Sequence, residues 1–302
     1  MLARTREFFA ARRVLEVETP ALSRAAVSDP HIESLHTRIK GFERPFFLAT
    51  SAEFAMKRLI AAGAGDIYQI CKVFRDGECG RWHNPEFTLL EWYRLGFDDD
   101  RLMSEIEQLV GLLLGPQRLS GPALRLTYAQ ALVQYAGVDP HIAGDAELAA
   151  AAVRHGVDCA GDLDRDGKLD LLMALVVGPK LGRDHLTFIC DYPASQASLA
   201  RLKPGAPPVA ARFEMYFEGL ELANGFHELG AAHEQRSRFG NDLEVRRARG
   251  QPLPPLDEHL LSALEAGMPD CAGVALGFDR LVAISLGATA LSEVLSFPVE
   301  TA

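Results

Sequence analysis

Apolar residues recur along this chain with two periods, about 3.6 and 2, and the alternation between them outlines the fold. Residues 3–13 (ARTREFFAARR) form a predicted amphipathic helix, with Phe8 and Phe9 on the buried side and arginines on the wet side. VLEVETP follows as a strand that Pro20 ends. A strand at 46–50 and a helix at 52–62 come next, with Ser51 as N-cap and Glu53 in the first turn. From Phe74 to Tyr93 the pattern predicts two β-segments joined by a polar loop. In the second segment, alternation places Phe87, Leu89, Glu91 and Tyr93 on one face. Packing alone would not choose Glu91 there. Between 98 and 186 the period becomes helical, with segments at 102–115, 127–136, 145–155 and 169–177. Strands return at Arg212 to Phe226 with Gly219 at a turn, followed by a charged helix at 233–250 and a strand and helix in CAGVALGFDRLVAISLG. The pattern predicts strands and helices in alternation, with a mainly helical stretch at about 98–186.

Several residues carry chemistry that the hydrophobic pattern does not require. The guanidinium of Arg75 is a rigid donor fork suited to phosphate or carboxylate oxygens, and Phe87 or Trp82 offers a ring face for stacking. Glu91 is suited to an ammonium. The plainer alternative is a structural ion pair between Arg75 and Glu91, and for Glu53 it is compensation of the helix dipole. Glu214 and Glu221 supply the hard oxygens that a divalent cation accompanying nucleotide phosphates needs; their plainer reading is two solvated carboxylates. Strict alternation puts Asn224, Phe226 and Glu228 together and Glu221 on the opposite face, unless a bulge near Gly225 intervenes. Gly273 and Gly277 allow close approach of a ligand to the backbone, and Arg280 adds positive charge early in a helix. There is no GxxxxGK[ST] loop and no dinucleotide-binding glycine fingerprint.

Composition narrows the functional classes. With 302 residues, 48% hydrophobic, the chain can bury a substantial core. Five cysteines without a CxxC pair suggest reduced thiols and a cytoplasmic location. Cys79 and His83 lack the further ligands of a tetrahedral zinc site. GDLDRDGKLDLLM has the aspartates of a calcium loop, but Met173 replaces the final glutamate, so it reads as an acidic loop capping the next helix. No N-terminal apolar run suits export or membrane spanning. A net charge of −10 argues against a broad nucleic-acid surface and leaves local basic patches open.

Taken together, VLEVETP, FRDGECGRWHNPEFTLLEWY and GVALGFDR resemble the three signature motifs of class II aminoacyl-tRNA synthetases, in order and approximate spacing. TSAEFAMKRL and GLELANGFHEL narrow the resemblance to the lysyl branch. The first motif's helix starts near residue 3, which leaves no room for the anticodon-binding domain of lysyl-tRNA synthetases. The chain therefore most resembles the elongation factor P lysine ligases over nearly its whole length. That resemblance implies an α+β class II synthetase core, an antiparallel sheet flanked by helices, in one catalytic domain spanning 1–302 with a mainly helical insertion at about 98–186. It also implies catalytic roles for Arg75 and Arg280, on the α- and γ-phosphates respectively. It implies ATP binding by Arg75, Asp76, Gly77, Glu78, His83, Asn84, Phe87, Glu214, Met215, Gly277 and Arg280, with Phe87 stacked on adenine. It assigns the amino-acid pocket to Ser51, Ala52, Glu53, Glu91, Tyr93, Glu221, Asn224, Glu228 and Ala275, and magnesium to Glu214 and Glu221. The implied reaction is ATP-dependent formation of a β-lysyl (or lysyl) adenylate and transfer to a lysine of elongation factor P, by a cytoplasmic homodimer that uses neither tRNA nor membrane. The rivals are a truncated lysyl-tRNA synthetase charging tRNA and an inactive regulatory relative. Three positions depart from the synthetase pattern. Glu78 stands one place late in FRDGE, so the backbone of Asp76 and Gly77 is the alternative partner for adenine. Ala275 replaces a usual glycine and Ser51 a usual alanine, as expected of ligases that prefer (R)-β-lysine.

Overall fold

Two-residue alternation gives the strand Glu86–Leu95 two faces of opposite character. On one, Leu90 and Trp92 are fully buried. The helix Leu2–Ala11 covers this side: Phe9 stacks on Tyr68 at 4.3 Å and meets Trp92 edge-on at 5.4 Å. The other face carries Phe87, Leu89, Glu91 and Tyr93. A computed structural model describes residues 1–115, 117–159 and 163–302 and divides the chain into two units, Met1–Gly96 with Leu229–Ala302, and Phe97–Glu228.

In the first unit Glu86–Leu95 pairs antiparallel with Ile67–Phe74 on one side and Cys271–Gly277 on the other. Leu15–Glu16 adds to Ile67–Phe74 in parallel, so the sheet is mixed at this edge. The strand foreseen across 14–20 is thus two residues long. A small second sheet orders Leu22–Ser23, Phe46–Leu48 and His36–Thr37. In the helix Glu53–Ala61 the N-cap is Ala52, one residue later than expected. The Ser51 hydroxyl still accepts from the Glu53 N–H at 3.3 Å. Met56 and Ile60 bury that helix against Ile67 and Tyr93. The charged helix Ala232–Ala248 is not wholly solvated, because Gln235, Phe239 and Arg246 are buried.

In the second unit Thr187–Pro193 pairs with Leu124–Thr127 in parallel and with Val209–Phe217 antiparallel, and Val209–Phe217 in turn pairs with Leu220–His227. The hairpin turn is Glu218 and Gly219, both at positive φ (51° and 77°), a conformation that favours glycine. The helices Asp99–Leu114, Tyr128–Ala136, Asp145–Arg154 and Arg165–Leu172 occupy the segments of helical period. Their ends follow from local chemistry: Asp98 accepts from the Arg101 N–H, Thr127 and Gln130 form a capping box, and Gly137 closes in the left-handed region. Leu132, Leu148, Leu172, Val176 and Ile189 form the core of this unit. Within the acidic loop, Asp164 caps the following helix by accepting from the Gly167 N–H at 2.8 Å. Asp162 lies outside the described residues.

Candidate active site

Cross-strand register assembles the first group of side chains. Gln69, Glu91 and Ala275 are direct partners on three adjacent strands, so they form a row across one face. Glu91 is 1% exposed. Its Oε1 accepts from the Tyr93 hydroxyl at 2.7 Å, and its Oε2 from the Ala52 N–H at 3.0 Å. Burial, reinforced by the charge of Glu53, pushes its carboxyl up to about 8, against the opposing pull of Tyr93, Ala52 and Lys57. Glu53 pairs with the buried Lys57 at 2.6 Å, so it does more than balance a helix dipole. A carboxyl enclosed this way is held largely neutral near pH 7.

Arg75 and Glu91 do not pair with each other. Arg75 donates from Nε to the Thr50 carbonyl at 3.3 Å, meets Glu78 at 3.4 Å and sits 5.2 Å from the centre of the Phe87 ring. The displaced Glu78 therefore faces the guanidinium. The loop after Arg75 is closed by reciprocal backbone bonds between Gly80 and His83. Gly77 takes φ 76° within it, and the Asp76 N–H donates to the Glu33 carbonyl at 2.9 Å. Arg280 donates from Nε to the Trp82 carbonyl at 3.1 Å and lies 2.8 Å from Nε2 of His83. Because a guanidinium only donates, Nε2 accepts and the imidazole proton resides on Nδ1. Partial desolvation and then the Arg280 charge hold the His83 pKa below its usual value. Asn84 has both ends of its amide occupied: Nδ2 donates to the Glu86 carbonyl at 2.6 Å, and Oδ1 accepts from the Val299 N–H at 3.0 Å. Gly277 pairs with Leu89 at the end of its strand, immediately before the helix that carries Arg280.

The second unit carries its own group of side chains. A register shift pairs Met215 with Ala223 but Tyr216 with Glu221, leaving Leu222 as the extra residue. The bulge thus lies at Leu222 rather than near Gly225. It turns Glu221 to the face shared by Glu214, Tyr216 and Asn224. Glu214 accepts from Arg212 Nη2 at 2.7 Å and from the Tyr216 hydroxyl at 2.6 Å. Burial and then the charge of Glu214 push the Tyr216 hydroxyl well above its usual value. Arg212 lies 4.5 Å over the Tyr192 ring. Met215 is fully buried, between the paired strands Thr187–Pro193 and Leu220–His227. Asn224 Oδ1 is buried without a hydrogen-bond partner, as suits an acceptor awaiting a donor. Glu228, just past the end of the strand Leu220–His227, is also buried, and its carbonyl accepts from Arg201.

Lys57, Gln69, Arg212 and Tyr216 were not among the residues singled out from sequence. Two of them had a readable signal: Lys57 stands four residues after Glu53 on one helix, and Arg212 two before Glu214 on one strand.

A guanidinium fork beside an aromatic face and a buried carboxyl in the first unit, and a bulged hairpin with two carboxylates in the second, are features that suit an adenylate-forming synthetase. Residues 1–301 match the family described as tRNA synthetases class II (D, K and N), and the chain belongs to that family. Within it, the chain is 48% identical to a protein of Klebsiella pneumoniae named elongation factor P (R)-β-lysine ligase, over 100% of this chain and 94% of that one. It is 49% identical to the protein of the same name from Vibrio parahaemolyticus, over 99% of this chain and 93% of that one, and 48% identical to that of Salmonella arizonae, over 100% and 94%. Among the described residues no helix is long and apolar enough to cross a membrane.

Proposed function

We propose that the protein is an ATP-dependent ligase that activates (R)-β-lysine or lysine as an adenylate and transfers it to a lysine of elongation factor P. Full-length similarity to ligases of that name carries the reading. The buried Glu91, held by Tyr93 and Ala52, is the feature of this chain that fits a substrate ammonium.

The substrate carboxylate attacks the α-phosphorus of ATP in line, the bond to the bridging oxygen breaks, and pyrophosphate leaves. Arg75 offsets charge on the α-phosphate and orients the attacking carboxylate, and Phe87 presents a stacking face to adenine. Arg280, with His83 accepting from it as a neutral imidazole, holds the γ-phosphate end. Glu91 binds the amino acid's ammonium after giving up its own proton, and Tyr93 and the Ala52 N–H keep the resulting carboxylate oriented. Ser51, Glu53 and Ala275 shape the same pocket, and Asn224 and Glu228 are assigned to the amino acid as well. In the second step an uncharged lysine amine of the acceptor protein attacks the acyl carbon. The acyl–phosphate bond breaks, AMP leaves, and the amine loses a proton as the amide forms.

Glu214 and Glu221 would hold magnesium. Each Glu214 oxygen keeps a lone pair beyond its bond to Arg212 or Tyr216, and the bulge puts Glu221 on the same face, so the donor set is the hard-oxygen kind that this ion takes. When bound, magnesium neutralises phosphate charge. We also assign a homodimer built through the VLEVETP region, residues 14–20, a cytoplasmic location and independence from tRNA.

ATP–pyrophosphate exchange with each lysine isomer, followed by mass spectrometry of elongation factor P, tests this reading. Exchange with (R)-β-lysine and an acylated acceptor lysine are expected. Stable charging of tRNA, or no exchange with either isomer, would overturn it.

A further inference from the structure

Arg246 is charged, 1% exposed and assigned to none of the chemistry above. Burying a guanidinium is costly unless its donors are satisfied, and here all three nitrogens have acceptors. Nε donates to the Ser28 carbonyl at 2.9 Å. Nη2 donates to the carbonyls of Asp29 at 2.8 Å and Ile32 at 2.6 Å. Nη1 donates to the Glu33 carboxylate at 2.9 Å and the Pro252 carbonyl at 3.1 Å. Four of the five bonds therefore grip residues 28–33, a stretch outside the regular strands and helices. Gln251 adds a bond to the Pro30 carbonyl at 3.0 Å, and the Ser28 hydroxyl donates to Asp242 on the same helix as Arg246.

The far end of that stretch touches the nucleotide half of the candidate site. Glu33 and Asp76 form an antiparallel bridge, with the Asp76 N–H donating to the Glu33 carbonyl at 2.9 Å. Asp76 follows Arg75 and precedes Gly77, whose left-handed conformation turns the loop. A path of hydrogen bonds and covalent bonds thus runs from Arg246 through Glu33 to the residue beside Arg75, and none of the bonds given above for Arg246 or Glu33 goes to Gln69, Glu91 or Ala275.

We propose that Arg246 is a positioning residue for ATP: its fork fixes Ser28–Glu33, and the Glu33 carbonyl then fixes the turn Arg75–Gly77. The proposal rests on the ATP-dependent reading above for its kinetic consequence. A lysine in this place keeps the charge but cannot span five acceptors, because an ammonium is a compact point donor.

The test uses the full-length protein with Arg246→Lys and Glu33→Ala, the latter keeping the carbonyl that holds Asp76. Arg246→Lys is expected to raise the KM for ATP by about ten- to a hundredfold, the scale of a small misplacement at a reacting centre. The KM for the amino acid stays within about twofold. Hydrogen exchange of the peptide containing Asp76 accelerates, and Glu33→Ala shifts both readouts the same way by less. A lowered melting temperature with both KM values rising equally would overturn the proposal, as would unchanged exchange at Asp76. Should Arg246→Lys fail to fold, Glu33→Ala decides alone, and wild-type ATP KM and wild-type exchange at Asp76 in that variant reject the relay. Should the wild-type protein activate no lysine isomer, the functional reading fails, whereas exchange at Asp76 still reports on the relay.

Discussion

Glu91→Gln separates binding from stability, because the two respond to pH with opposite signs. The folded, empty protein holds the Glu91 carboxyl at about 8, against an ordinary 4.5. Between those values the folded state carries a proton that the unfolded chain has lost, so stability is greatest at acid pH and declines as pH rises toward 8. At ~1.36 kcal/mol per pH unit, the gap is worth at most roughly 5 kcal/mol. Glutamine keeps the shape and carries no charge. Its carbonyl accepts from the Ala52 N–H, and its amide donates to the Tyr93 oxygen, so both partners remain satisfied. The variant is therefore expected to unfold at a higher temperature than wild type near pH 8 and at a similar one near pH 5.

Binding runs the other way. An ammonium needs the ionised carboxylate, so the wild-type KM for the amino acid should fall about tenfold per pH unit from 6 toward 8 and then level. A lysine-type ammonium, with an ordinary pKa of ~10.4, stays charged throughout. Above pH 8 the glutamine variant loses a charge-assisted bond of about 1.5–3 kcal/mol, or roughly ten- to a hundredfold in KM. At pH 6 the difference narrows, because wild type must first lose its proton. Calorimetry in buffers of different ionisation enthalpy reads the same event as close to one proton released per amino acid bound at pH 7. A flat wild-type KM between pH 6 and 8, or zero proton release, would refute the reasoning. So would a glutamine variant less stable than wild type at pH 8.

Arg75→Ala is expected to leave folding intact and slow ATP–pyrophosphate exchange by about 10²–10³, the effect of losing one preorganised charge stabiliser; near wild-type exchange removes Arg75 from the site. Ala275→Gly removes the methyl beside Glu91 in the cross-strand row and should shift kcat/KM toward α-lysine relative to (R)-β-lysine by about 1–3 kcal/mol, with an unchanged ratio as the contrary result. Leu132→Ala, in the core of the second unit, should cost about 2–5 kcal/mol in chemical denaturation, and a loss below about 1 kcal/mol would show that the surrounding core collapses onto the space.

Features set by short-range rules could be read from the sequence. Alternation placed Glu91 on the face of Phe87 and Tyr93, and helical periods located the segments between 98 and 186. Glycine at 219 marked the hairpin turn. Residues whose position depends on non-local register were not legible. Strict alternation sent Glu221 to the wrong face because one extra residue, Leu222, inverts everything beyond it, and no local propensity announces that insertion. Gln69 acquires meaning only once Ile67–Phe74 is paired with Glu86–Leu95. Arg246 was read with a solvated helix because composition cannot distinguish a wet guanidinium from one whose acceptors arrive from residues 28–33. The loop Arg75–Glu86 shows the same limit: its residues were identifiable, but the contact of Glu78 with Arg75 and the capture of Asn84 by Glu86 and Val299 are tertiary facts.

The two acidic groups differ in whether their cation is already present, and that difference accounts for their distinct chemistry. Glu214 has Arg212 at 2.7 Å on its own strand, so its charge is compensated before any ligand arrives and its remaining lone pairs suit a metal held partly through water. Among the described residues Glu91 accepts from two neutral donors, Tyr93 and the Ala52 N–H, while the ammonium of Lys57 pairs with Glu53 at 2.6 Å. A carboxyl provided with oriented hydrogen bonds but, among the described residues, no direct ion-pair partner holds its proton near neutral pH. It is nevertheless preorganised to receive a positive charge at low reorganisation cost. Placing a second cation beside Glu91, for example by Gln69→Lys on the adjacent strand, would stabilise the empty carboxylate and compete directly with the substrate ammonium. On the proposed role of Glu91, sensitivity to a resident cation is thus the converse of selectivity for an incoming one.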